Sequence, residues 1–179
     1  MNETLETFNN QAINLASHGD FAEAIACFKK ALSIEQDNYL LWFNMGVTYR
    51  DAGDFKKAKA ALDRALLLSR SVGRTGEDVI EVLAQMLYTC GNFNASIEYC
   101  RRGLYINPVN PRLWNTLGVV FFSNSAYEEA AEAFEHSLTI DPNYYDALFN
   151  LRDTYDELGN KAGKEACENA LLLINRKEF

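Results

Sequence analysis

Apolar and polar positions alternate along the chain in a pattern that predicts paired helices. In the stretch from Pro111 to Asn143, Trp114, Leu117, Gly118 and Phe121 fall at i, i+3, i+4 and i+7, one face of a helix. The polar turn Ser123-Asn124-Ser125 interrupts that face. A second helix follows, with Ala130, Phe134 and Leu138 recurring every four residues. Asp141-Pro142-Asn143 ends it, because proline cannot continue a helix and pushes the residue before it out of the α region. The result is a helix–turn–helix unit of about 34 residues.

The unit recurs five times, over about residues 5–38, 39–72, 77–110, 111–144 and 145–176, so a single array over 1–179 is expected. Phe8, Ala12, Leu15, Gly19 and Phe21 mark the first copy, and Trp42, Met45, Gly46, Tyr49 and Gly53 the second. Leu83, Ala84, Leu87 and Gly91 mark the third, and Leu148, Leu151, Tyr155 and Gly159 the fifth. One interval is four residues longer than the others. The extra length falls at about 69–76, with Gly73 and Gly76, and predicts a longer helix end followed by a loop whose entropic cost is small. In the turn His18-Gly19-Asp20, glycine supplies the left-handed conformation and Asp20 is placed to cap the next helix. Trp114 is expected to be buried against the preceding repeat. The apolar run Ala65–Leu68 is expected to be covered by the next one. The fifth copy departs from the pattern: its turn reads Gly159 to Gly163, its second helix is expected from about Lys164, and Leu171–Ile174 is followed by Arg176 and Lys177, whose charge suits a helix C-terminus.

Composition narrows the function. The 179 residues are 48% hydrophobic, enough for a sizeable core, and 17 Lys and Arg against 25 Asp and Glu give a formal charge of −8. That balance opposes nonspecific nucleic-acid binding and suits a basic partner. The start, Met1 to Glu6, is acidic and lacks the apolar stretch of a signal peptide, and no run approaches the length of a membrane span. Cys27, Cys90, Cys100 and Cys167 lie in helical patterns without a C-x-x-C. They predict small core residues with free thiols, hence a cytoplasmic protein; the alternative is a Cys90–Cys100 pair across one turn. His18 and His136 sit in different parts of their repeats and read as surface residues. No P-loop, G-x-G-x-x-G, H-E-x-x-H, EF-hand or G-x-S-x-G motif occurs, so no enzyme, cofactor or metal is expected.

Five copies in register, of which Trp42/Met45/Gly46/Tyr49 and Trp114/Leu117/Gly118/Phe121 match the first half closely and the third and fourth end in Pro108 and Pro142, resemble the tetratricopeptide repeat family. The resemblance implies an all-α fold, a right-handed superhelical α-solenoid of five repeats, and a role in protein–protein interaction. It also implies that set positions of each first helix line a concave groove. The residues so indicated are Phe43, Asn44, Val47 and Arg50; Glu81, Gln85 and Tyr88; Arg112, Asn115, Val119 and Phe122; and Phe149, Asn150, Asp153 and Asp156. Phe43, Tyr88, Phe122 and Phe149 are either interface anchors or packing between neighbouring helices. In the family the asparagine at the position of Asn44 and Asn150 often holds a ligand backbone, since an amide both donates and accepts. Across these surfaces Glu6, Asp51, Asp78, Glu81, Asp146, Asp153, Asp156 and Glu157 face only Arg50 and Arg112, a local charge of −6. Co-chaperone members clamp a terminal carboxylate with Lys, Arg and Asn. Here Asn44 fits, but Asn9, Ile13, Asp78 and Val82 stand where the clamp needs other residues, so that ligand is not expected.

The expected function is therefore a scaffold or adaptor that holds a peptide or helical segment of a partner. The partner should carry Lys or Arg and bulky apolar residues. A structural alternative is self-assembly through the array end: Leu172, Leu173 and Ile174 share a run that cannot all face one core stripe, which suggests a weak homodimer.

Overall fold

The computed structural model describes residues 4–175, and among them the chain forms ten α-helices and no strand. The first helices of the repeats are α1 (Leu5–Ser17), α3 (Tyr39–Asp51), α5 (Glu77–Thr89), α7 (Pro111–Ser123) and α9 (Tyr145–Glu157), each 13 residues long. The second helices are α2 (Phe21–Ile34), α4 (Phe55–Ser71), α6 (Phe93–Ile106), α8 (Tyr127–Ile140) and α10 (Lys161–Asn175). No helix among the described residues is long and apolar enough to cross a membrane. Met1 to Glu3 and the expected basic pair Arg176 and Lys177 lie outside the described residues.

Local chemistry sets where the helices begin. The side chains of Thr4, Asn38, Asp54, Asn92 and Asn110 each accept a backbone N–H in the first turn of α1, α3, α4, α6 and α7. Pro111 opens α7, where a missing N–H costs nothing. Asp20, expected to cap α2, makes no side-chain cap bond. Its backbone engages instead: the carbonyl accepts from Ala24 N–H and the N–H donates to the Leu15 carbonyl, each at 3.0 Å. The turns within the hairpins need a left-handed residue. Gly19, Gly53, Gly91 and Gly159 supply it in four repeats, and Ser125 takes φ 59° in the fourth.

The contacts cluster into two compact units that meet in sequence between Met86 and Leu87, within α5. In the first unit α1 packs on α2, α2 on α3 and α3 on α4. Phe28, Leu41 and Leu62 are fully buried there, together with Val79, Ile80 and Leu83 from α5. The close approach of α3 to α4 depends on Gly46: a Cβ there would lie 2.8 Å from Leu62 Cγ. The extra residues of the second repeat extend α4 to Ser71, and Val72–Gly76 connect it to α5. Within the run Ala65–Leu68, Leu67 is exposed; a four-residue apolar run circles a helix, and one side of it faces solvent.

In the second unit α6 packs on α7, α7 on α8, α8 on α9 and α9 on α10. Ala130, Ala131, Phe134, Leu151 and Cys167 form a buried cluster, against which Val119, Phe121, Phe122, Tyr155 and Leu158 pack half-buried. Gly118 lets the Phe134 ring lie on α7; a Cβ would meet that ring at 2.6 Å. Three sequence expectations are corrected here. Trp114 is half-buried, not buried: its indole N–H donates to the Pro108 carbonyl at 2.8 Å, and its ring stacks on His136 with centroids 4.5 Å apart. Cys90 is exposed near the helix end, whereas Cys27, Cys100 and Cys167 are buried, and all four thiols are free. Finally, α10 begins at Lys161, because the Asn160 side chain accepts Gly163 N–H at 3.0 Å and caps it.

Candidate functional site: the first-helix faces

Each unit carries a small pocket lined chiefly by its first helices. In the first unit α1 and α3 contribute Ile13, Ala16, Phe43, Asn44 and Val47 to a hollow of about 230 Å³. Phe28 from α2 is buried in its wall. Phe43, Asn44 and Val47 are half-buried, and Ile13 is 46% exposed. The Asn44 amide donates to Asn9 Oδ1 at 3.5 Å, a long bond. Arg50 folds back on Asp51, with its Nη2 2.8 Å from the carboxylate. Glu81, half-buried, and Gln85, exposed, lie on α5 and do not line this pocket.

In the second unit Tyr88, Val119, Phe122, Asn150 and Asp153 come together around a hollow of about 150 Å³. Val119 and Phe122 also pack on the buried cluster beneath, so part of their role is core packing. Phe122 meets Tyr127 edge-on at 5.3 Å, and the Tyr88 hydroxyl lies 3.3 Å from Ser123 Oγ. Asn150 donates to Asn115 Oδ1 at 3.0 Å, which ties α9 to α7. Phe149 is 40% exposed, with the Arg152 guanidinium 4.0 Å from its ring centroid. Arg112 is exposed at the start of α7 and does not line the hollow.

The electrostatics differ from a count of repeat positions. Asp153 accepts two bonds from Arg152, at 2.6 and 2.9 Å. Asp156 accepts from Lys164 Nζ at 2.8 Å, which holds the Lys164 ammonium above its usual range. Neither cation sits at a position counted on the groove, so the local balance is nearer neutral than −6. Behind the patch, burial first and then the neighbouring Glu135 push the Tyr155 phenol up; its hydroxyl donates to Glu135 Oε1 at 2.6 Å. Burial also raises the Cys100 thiol to about 12, which makes it a packing group rather than a nucleophile. Among the described residues no group of three or more His, Cys, Asp and Glu could hold a metal ion.

This repeated hairpin geometry has a counterpart in known families. Family models described as tetratricopeptide repeat match residues 15–71, 78–110 and 111–144. The chain belongs to the tetratricopeptide repeat family. Among relatives, it is 28% identical over 131 residues to the BBSome complex member BBS4 of Bos taurus, covering 73% of this chain and 24% of that protein. It is 27% identical over 173 residues to the peroxisomal targeting signal receptor of Candida albicans, covering 94% of this chain and 29% of that one. The chain thus spans about a quarter of the length of these relatives. A crystal structure of MamA superposes with TM-score 0.79 at 24% identity, covering 99% of this chain and 95% of the other. YrrB, described as a TPR protein with an unusual peptide-binding site, superposes with TM-score 0.68 at 21% identity, covering 94% and 84%. The fold is therefore an all-α tetratricopeptide α-solenoid.

Reading the family positions alone missed Arg152 and Lys164. The signal was present for Arg152. The corresponding positions of the other four repeats hold Ala12, Gly46, Ala84 and Gly118, so an arginine there cannot occupy the same tight contact and must turn toward solvent.

Proposed function

We propose that this tetratricopeptide repeat protein is an interaction scaffold, not an enzyme, and that it holds a partner segment on the α7 and α9 face. The observation that carries this reading is the exposed Phe149 ring, which precedes Asn150 of the Asn115–Asn150 amide pair on α9 and lies outside the lining of the hollow. The ring offers apolar area at low entropic cost. The pair keeps an amide oxygen on Asn150 and amide N–H groups on Asn115 for a partner backbone. Similarity to a peroxisomal targeting signal receptor and to a TPR protein with a peptide-binding site supports this class of function. The partner segment carries a bulky apolar residue for Phe149, Phe122 and Val119, and a Lys or Arg that exchanges with Arg152 or Lys164 at Asp153 or Asp156. Such an exchange is nearly neutral, since exposed ion pairs contribute about 0–1 kcal/mol. The pocket of Phe43, Asn44 and Val47 offers a second contact of the same kind. The buried free thiols suit a reducing, cytoplasmic setting. Binding of a capped Lys- and Phe-bearing peptide, followed by surface plasmon resonance, tests the reading. Phe149→Ala should speed dissociation and cost about 1–3 kcal/mol; unchanged dissociation removes Phe149 from the site.

Self-association is a second reading, favoured by the end of α10. Leu171 is buried there, but Leu172 and Leu173 are 58% and 59% exposed, and Ile174 is half-buried. A sedimentation series that shows mass rising with concentration, and falling back in Leu172→Glu, supports it. A strict monomer removes it.

A further inference from the structure

The face built mainly from the second helices carries a different site. In the first unit α2, α3 and α4 enclose an open cleft of about 830 Å³ with Leu32, Trp42 and Met45 among its lining residues. The Trp42 indole N–H is already spent on the Gln36 carbonyl at 2.7 Å, which fixes the ring as a half-buried apolar wall. Lys29, Lys57 and Arg64 also line the cleft, and among the described residues no carboxylate does. Three cations in one cleft run against a chain of formal charge −8. Two of them pair with solvent-accessible carboxylates. Arg64 pairs with Asp37, whose side chain is 71% exposed, and Lys57 pairs with Asp54 outside the lining. Such pairs exchange readily with an incoming carboxylate.

The second unit contains the same cleft 72 residues later, on α6, α7 and α8, with about 520 Å³ and Trp114 in place of Trp42. Arg101 keeps the cation of Lys29, but the rest of the charge is inverted. Glu129 stands at the position of Lys57, Glu132 at that of Ala60 and His136 at that of Arg64, and the His136 ring covers a face of Trp114. The backbone template therefore builds the cleft in both units, while the excess of cations over carboxylates belongs to the first.

We propose that the Trp42 cleft is a ligand site for an acidic protein segment, one that sets a Glu or Asp within a helical turn of a bulky apolar side chain. The apolar group lies against Trp42 and Met45, and the carboxylates take charge-assisted bonds from Lys29 and Arg64. The site differs from the α7 and α9 patch in the helices that build it and in preferred charge.

The two tryptophans, one in each cleft, make the test internal. Trp114→Phe leaves only Trp42 to report, and Trp42→Phe leaves only Trp114. Each variant is titrated with the capped peptide Glu-Glu-Leu-Phe-Glu-Glu and with its Lys-for-Glu counterpart, following tryptophan emission. The expected result is a saturable change in Trp114→Phe with the acidic peptide, about tenfold weaker or more with the basic peptide or in Trp42→Phe. Lys29→Glu with Arg64→Glu should weaken it by at least about tenfold at unchanged melting temperature. If that double variant melts early, Lys29→Gln, a change at an exposed residue, should still weaken binding. No saturable change up to millimolar acidic peptide, equal affinity for the basic peptide, or binding indifferent to Lys29 would overturn the proposal.

Discussion

The fourth and fifth repeats, α7/α8 and α9/α10, resolve the contact between their two helices in opposite ways. In the fourth, the first helix is the small partner: Gly118 leaves room for the fully buried Phe134 ring of α8. In the fifth, Arg152 takes the place of Gly118 and Glu168 that of Phe134. The small residue moves to the second helix, where a Cβ on Gly163 would lie 2.7 Å from the Tyr155 ring of α9. Each of these two hairpins thus has one close approach between its helices, without glycine at a fixed position. Moving that approach has a functional consequence. It turns Arg152 out of the helix pair, onto Phe149 and Asp153, and so places a cation in the candidate patch.

Substitutions at these positions can break the comparison. Phe134→Ala empties the centre of the second unit's core and should cost about 3–5 kcal/mol in denaturant unfolding. Gly118→Ala should cost about 1–3 kcal/mol by overpacking against a ring that has nowhere to go, less about 1 kcal/mol returned by helix propensity. Gly163→Ala gains the same propensity, and its neighbour Tyr155 is only half-buried and can swing aside; the net change should stay within about 1 kcal/mol. Equal losses at the two glycines would show that the fifth hairpin is as tightly packed as the fourth.

A smaller effect sharpens the comparison at the turns. The fourth repeat alone places a non-glycine residue, Ser125, at the left-handed position. Ser125→Gly should stabilise by about 0.5–1 kcal/mol, since a side chain in that conformation is strained. The same melts would show it, and a loss of stability would mean that the serine side chain contributes an interaction of its own.

The helical class and the repeat family were legible because their signals are local. Apolar periodicity, Asn and Asp caps and the turn glycines each act within a few residues. The half-burial of Trp114, the exposure of Cys90 and the pairing of Asp153 and Asp156 were less legible, because they depend on what a neighbouring helix covers or reaches. Lys164 contacts Asp156 from another helix, eight residues away, and no repeat position announces it. Arg152 was readable in principle, as the one long side chain at a position that otherwise holds Gly or Ala.

Arg152 also connects the packing difference to binding. Arg152→Ala removes a cation from the patch, uncovers Phe149 and releases Asp153. If the α7 and α9 face takes a Lys-bearing segment, this variant should bind the Lys- and Phe-bearing peptide several-fold more tightly, read by the same surface plasmon assay. A weaker complex would mean that Arg152 itself contacts the partner.

The measurement that reaches the functional claim most directly is the salt dependence of association for that peptide on the wild-type chain and on Phe149→Ala. Electrostatics should set the encounter rate and the aromatic contact the residence time. Raising salt from about 50 to about 500 mM shortens the screening length and should slow association several-fold. Phe149→Ala should leave that slope intact while speeding dissociation. An association rate indifferent to salt, or a Phe149-dependent preference for an acidic peptide, would contradict the proposed partner chemistry.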